Sequence, residues 1–209
     1  MRTRLSILLV SLFVIACGSE SSPKSAALAT SVVAADFIGD WEMCDKDGFQ
    51  LGEDLLYKKE EISFNEKGEG NYSTAFFSDE KCETRLLDEK KESLSGFVNG
   101  IDISPFFKEM FLGLIEGVET TFTYEVGKEI KDDTYELDVN FANKMLHLSD
   151  KIYIVGKVDK DEAQFSVYCH QEQIDAASSS DYCYKKGNST GDTKEKRSTE
   201  IPTGETFKK

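Results

Sequence analysis

The sequence predicts an all-β fold: a mainly antiparallel meander of about eight short strands, closed as a barrel or stacked as a sandwich, with one amphipathic helix inserted. Three observations carry this. Residues Thr134 to Phe141 alternate strictly between apolar and polar, the period of a half-buried strand. Similar short runs recur along the chain with turn residues between them, the pattern of antiparallel sandwiches and barrels. One segment, 105–116, breaks the alternation with apolar residues at helical spacing.

The folded part is expected to start near Phe37. Glu60, Ile62 and Phe64 alternate with Glu61 and Ser63, and Asn65 to Gly70 supplies turn chemistry. Tyr72, Thr74 and Phe76 then form the second arm of a hairpin. Thr84 to Asp88 reads as a third, short arm. Leu94 to Val98 reads as another, stopped by the turn pair Asn99-Gly100.

The helix follows. Ser104 is a good N-cap, Pro105 suits the first helical position, and Gly117 suits the end. Phe106, Phe107, Met110, Phe111, Leu114, Ile115 and Val118 form its stripe. The stripe is expected to pack on one end of the β-structure, or to serve as a lid or docking surface.

Strands resume at Phe122, Tyr124 and Val126, then at Tyr135, Leu137, Val139 and Phe141. Met145 to Leu148 and Lys151 to Val155 form a hairpin across Ser149-Asp150. Ala163, Phe165, Val167 and Cys169 close the series. Residues 187–209 are polar and almost free of apolar side chains, and are expected to be a disordered tail.

The N-terminus has the anatomy of an export signal. Arg2 and Arg4 precede an apolar run from Leu5 to Ile15. The run is too short to cross a hydrocarbon core of about 30 Å as a helix. It ends in Val14-Ile15-Ala16-Cys17, which resembles the lipobox of bacterial lipoproteins. That resemblance implies cleavage after residue 16 and lipid on Cys17. Several acyl chains anchor stably, where one is marginal. Gly18, in place of an Asp, implies the outer membrane where there are two. Residues 17–35, small and polar after the lipidated Cys, are expected to form a tether spanning about 23 Å on average. The globular domain is expected over 36–186.

Four further cysteines remain: Cys44, Cys82, Cys169 and Cys183. An even number in an exported chain points to two disulfides. Three pairings exist; neighbours in sequence, Cys44 with Cys82 and Cys169 with Cys183, are favoured. Zinc would want C-x2-C spacing or closely spaced His, and the sequence has neither. No metal or other cofactor is expected.

The formal charge is −14, which argues against nucleic acid as a partner. The sequence carries no G-x-S-x-G elbow, H-E-x-x-H or phosphate loop. His147 and His170 are expected on strand faces turned to water. Asp45-Lys46-Asp47-Gly48 is a turn, since its Gly falls at the fourth position where a calcium loop of the EF-hand kind needs the sixth. No catalytic residue is expected, and no enzyme.

Phe37-Ile38-Gly39-Asp40-Trp41 resembles the G-x-W opening of lipocalin-type barrels. With Cys44 and Cys82, the chain is similar to uncharacterised bacterial lipoproteins with a lipocalin-like domain. The resemblance implies that Trp41 closes a barrel floor, that Gly39 lets the chain bend, and that a late basic residue, Lys185 or Lys186, lies against the Trp. It implies a carrier of a small apolar ligand; the alternative is a filled barrel that meets a protein partner.

Overall fold

The computed structural model describes residues 32–142, 151–166, 168, 191–199, 201 and 206–209. Helix α1, Val32–Phe37, leads into strand β1, Gly39–Cys44. Then come β2 (Phe49–Leu51), β3 (Asp54–Phe64) and β4 (Glu69–Phe77). Helices α2 (Asp88–Gly100) and α3 (Pro105–Glu116) follow as a pair. Strands β5 (Val118–Lys131), β6 (Thr134–Phe141), β7 (Lys151–Asp159), β8 (Glu162–Phe165) and β9 (Phe207–Lys208) complete the fold.

The strands pair antiparallel in the order β1-β9-β8-β7-β6-β5-β4-β3, and β3 pairs back onto β1. Eight strands therefore close a barrel, with β2 hanging on the first half of β3 as a small hairpin. Trp41 faces Ile62, Ile62 faces Tyr72, and Tyr72 faces Thr120 across β1, β3, β4 and β5. This register sends the apolar member of each alternating pair inward, as the period of two requires.

Two apolar cores result. One fills the barrel around Phe37, Trp41, Phe64, Phe122, Tyr124 and Leu137. The other lies where β2, the start of β3 and the end of β4 meet the helices, around Leu51, Leu56, Phe76, Leu94, Val98 and Ile115. Helix α3 is capped as its sequence dictates: the Ser104 side chain accepts from the Phe107 N–H, and Pro105 opens the first turn. Its stripe buries Phe106, Leu114 and Ile115.

Four local expectations change. Leu94 to Val98 is not a strand but part of α2, where Leu94 and Val98 fall one turn apart and face the second core. Asn99-Gly100 accordingly ends a helix, and the fold has two inserted helices among the described residues. Thr84 to Asp88 is not a strand: it contributes a single bridge, between Phe77 and Arg85, and Asp88 opens α2. The tether gives way to helix α1 at Val32, before Ala35. The polar tail is also partly built into the fold: β9 lies inside the barrel wall, and Arg197 and Ser198 are buried. Met145 to Leu148, Cys169, Cys183 and Lys185 lie outside the described residues.

Candidate functional site

Three parts of the chain meet at the start of β1. Trp41 is 1% exposed, and its indole Nε1–H donates to the Phe37 carbonyl at 2.8 Å. That bond ties the end of α1 to β1, and the Phe37 ring is buried in the barrel core. The Lys209 ammonium lies 4.8 Å from the centroid of the Trp41 ring. Gly39 makes this possible: its φ is +140°, and a Cβ there would come 2.6 Å from Lys209 Cε. Gly39 and Trp41 both lie on β1. Among the described residues the basic group against the Trp is Lys209, which follows β9; Lys185 and Lys186 lie outside the described residues.

Part of the interior is occupied by rings. Phe37 meets Phe64 at 6.1 Å and Phe165 at 6.3 Å between centroids. Phe64 meets Tyr124 edge-on at 4.8 Å and Phe122 at 5.5 Å. Phe165 meets Phe207 at 5.4 Å. These are the separations of favourable aromatic pairs, so this half of the barrel is filled by its own side chains. Gly70 keeps the packing possible, because a Cβ there would stand 2.2 Å from both Phe122 Cζ and the Ser63 carbonyl oxygen.

Between the two cores the inner face turns polar. The Tyr72 hydroxyl donates to Glu60 at 2.7 Å, and Lys58 lies 3.3 Å from the same carboxylate. Burial pushes the Tyr72 phenol well above its ordinary value, and the Glu60 charge adds to the effect. Tyr72 is therefore a neutral donor at neutral pH, suited to a charge-assisted hydrogen bond rather than to proton abstraction.

A hollow of about 690 Å³ runs along β1, β3, β4 and β5 and is bordered by Asp40, Glu42, Glu61, Tyr72 and Lys208. Beside it Lys59 bridges Glu42 at 2.7 Å and Glu61 at 2.8 Å. The Lys59 hydrogen bond holds Glu61 below the usual carboxylate value, against the opposing effect of burial. Burial also draws the Lys59 ammonium down, but the two carboxylates outweigh it and raise it.

On the opposite wall, residues 191–199 form a strap over β6 and β7. The Gly191 carbonyl accepts from the Tyr153 N–H at 2.7 Å, and the Ser198 N–H donates to the Tyr153 carbonyl at 3.1 Å. Arg197 is pinned beneath. Its guanidinium donates to the carbonyls of Leu137 at 3.0 Å and Ile154 at 2.9 Å, and to Asp138 at 2.5 Å. The side chains of Arg197 and Asp138 are 8% and 11% exposed. Lys194 adds a second cation to Asp138 at 2.8 Å.

The remaining sequence-level sites divide cleanly. Cys44 and Cys82 form a disulfide. Asp45 to Gly48 is a turn closed by the Asp47 N–H on the Asp45 carboxylate at 3.1 Å. Cys17, Cys169, Cys183, His147 and His170 lie outside the described residues. Among the described residues no cluster of three metal-ligating side chains occurs. No helix among them is long and apolar enough to cross a membrane. Scans against protein-family models, curated proteins and solved structures return no match.

Proposed function

We propose that this chain is a lipid-anchored lipoprotein of the bacterial cell envelope, held through Cys17, whose barrel is a filled interaction module without catalytic activity. The observation that supports the filled reading is the ring stack from Phe37 through Phe64 to Tyr124 and Phe165. An eight-stranded barrel has room for packed side chains or for one small ligand, and rings take up the half around Phe64. A partner would meet the far end, where Phe49, Leu55 and Phe97 are exposed around the β2–β3 hairpin and α2.

The carrier reading has one observation in its favour, the hollow beside Tyr72 and Glu61. Its border is acidic, which suits an amine better than a fatty acid.

Native mass spectrometry of the full chain separates the two. A clean apo mass, with no uptake of a fluorescent fatty acid, supports the filled module. A stoichiometric mass lost on denaturation overturns it in favour of a carrier. The anchor has its own test: labelled palmitate enters the wild type and not Cys17→Ser. Equal labelling of both sinks the anchor.

A further inference from the structure

Strand β9 is only two residues long, yet it is held on both edges. Phe207 and Lys208 face Ala163 and Glu162 of β8, and Lys208 faces Glu42 of β1. Contacts on both sides of this strand specify it further. Gln164 Nε2 donates to Thr206 Oγ1 at 3.2 Å. The Lys209 N–H donates to the Asp161 carbonyl at 3.0 Å. The Phe207 ring is buried against Phe165. The Lys209 ammonium covers Trp41, in space that Gly39 leaves open.

The gap between β8 and β1 therefore reads a short extended segment at alternate positions: an aromatic ring first, an ammonium two residues later. Main-chain pairing with pockets for alternate side chains is how sheet edges bind peptides. The resident segment behaves as a ligand in a second respect. It makes a single pair with β1 and two with β8. A ladder this short opens at low cost, and exchange of identical elements between copies needs no new contacts.

We propose that the gap between β8 and β1 is a peptide-binding slot, filled in cis by Thr206–Lys209, which accepts the same segment from a second copy of this chain. The inference is independent of the lipid anchor and of whether the barrel carries a ligand.

The test uses a chain ending at Glu205 and a synthetic peptide matching residues 205–209. The peptide binds at one per chain and restores the Trp41 emission of the full chain. Peptides carrying Phe207→Ala or Lys209→Ala bind about tenfold more weakly or worse. Should the shortened chain fail to fold, the full chain is given a protease site between Ile201 and Glu205 and is cut after folding. Excess labelled peptide then replaces the resident segment. In concentrated full chain, dimers form that Phe207→Ala lacks. A folded slot that neither takes the peptide nor exchanges its resident segment, in a chain that stays monomeric, overturns the proposal.

Discussion

The ammonium of Lys209 stands 4.8 Å over the ring of Trp41, so the last strand is fastened to the first by a cation on an indole face. Such a contact is worth about 0.5–2 kcal/mol, depending on how far water is excluded. Lys209→Ala is expected to lower stability by that amount and shift the Trp41 emission. An unchanged denaturant midpoint would show the contact to be idle.

Gly39→Ala tests the other side of the same contact. An alanine there must adopt φ +140° and displace Lys209 Cε from 2.6 Å. Strained backbone of this kind costs about 1–3 kcal/mol. The double variant with Lys209→Ala regains only the steric part, which a double-mutant cycle by thermal melting resolves.

Gly70→Ala meets a harder obstacle, because one of its two neighbours at 2.2 Å is backbone. Overpacking typically costs about 1–3 kcal/mol, and here the Ser63 carbonyl cannot rotate away. Trimming Phe122 to Leu is expected to restore little. Full recovery on that trim would mean that the ring alone sets the limit.

The disulfide between Cys44 and Cys82 spans 38 residues. The chain-entropy argument puts its contribution at about 4 kcal/mol. Reduction, or the pair Cys44→Ser and Cys82→Ser, is expected to lower the stability measured in urea by that order.

The strap should let go in acid. Burial alone would raise the Asp138 carboxyl, but hydrogen bonds from Lys194 and Arg197 outweigh it and hold it below its ordinary value. A depressed carboxyl contributes stability above its unfolded value and loses it as pH falls through the folded one. Hydrogen exchange at Ser198 is therefore expected to accelerate, relative to an unstructured control, once the pH drops below about 4. Asp138→Ala should open the strap at neutral pH and cost about 3–5 kcal/mol, since it leaves Arg197 buried with less compensation.

Much of the barrel was legible because alternation is a local signal. Leu137 and Val139 against Glu136 and Asp138 announce a strand without knowledge of its neighbours. Helix α3 announced itself through Ser104 and Pro105. Helix α2 did not, because its N-cap Leu87 makes no side-chain cap and five apolar-rich residues fit either period. The strap and β9 were invisible for a different reason. Two residues have no period, and Arg197 is buried by an ion pair and two carbonyls rather than by apolar matching. Lys209 could not be singled out, since nothing near it in sequence points to Trp41.

The seam at β9 also sets the order in which the molecule can be completed. Strands β3 to β8 zip between sequence neighbours and β1 pairs with β3, but the second edge of β1 must wait for a segment made after every other described strand. Closures between such distant parts of a chain are slow. While they are pending, the edges of β1 and β8 stand open to mispairing. Cys44 and Cys82 are both translated long before Phe207, so their bond can tie β1 to the early strands before the ring is sealed.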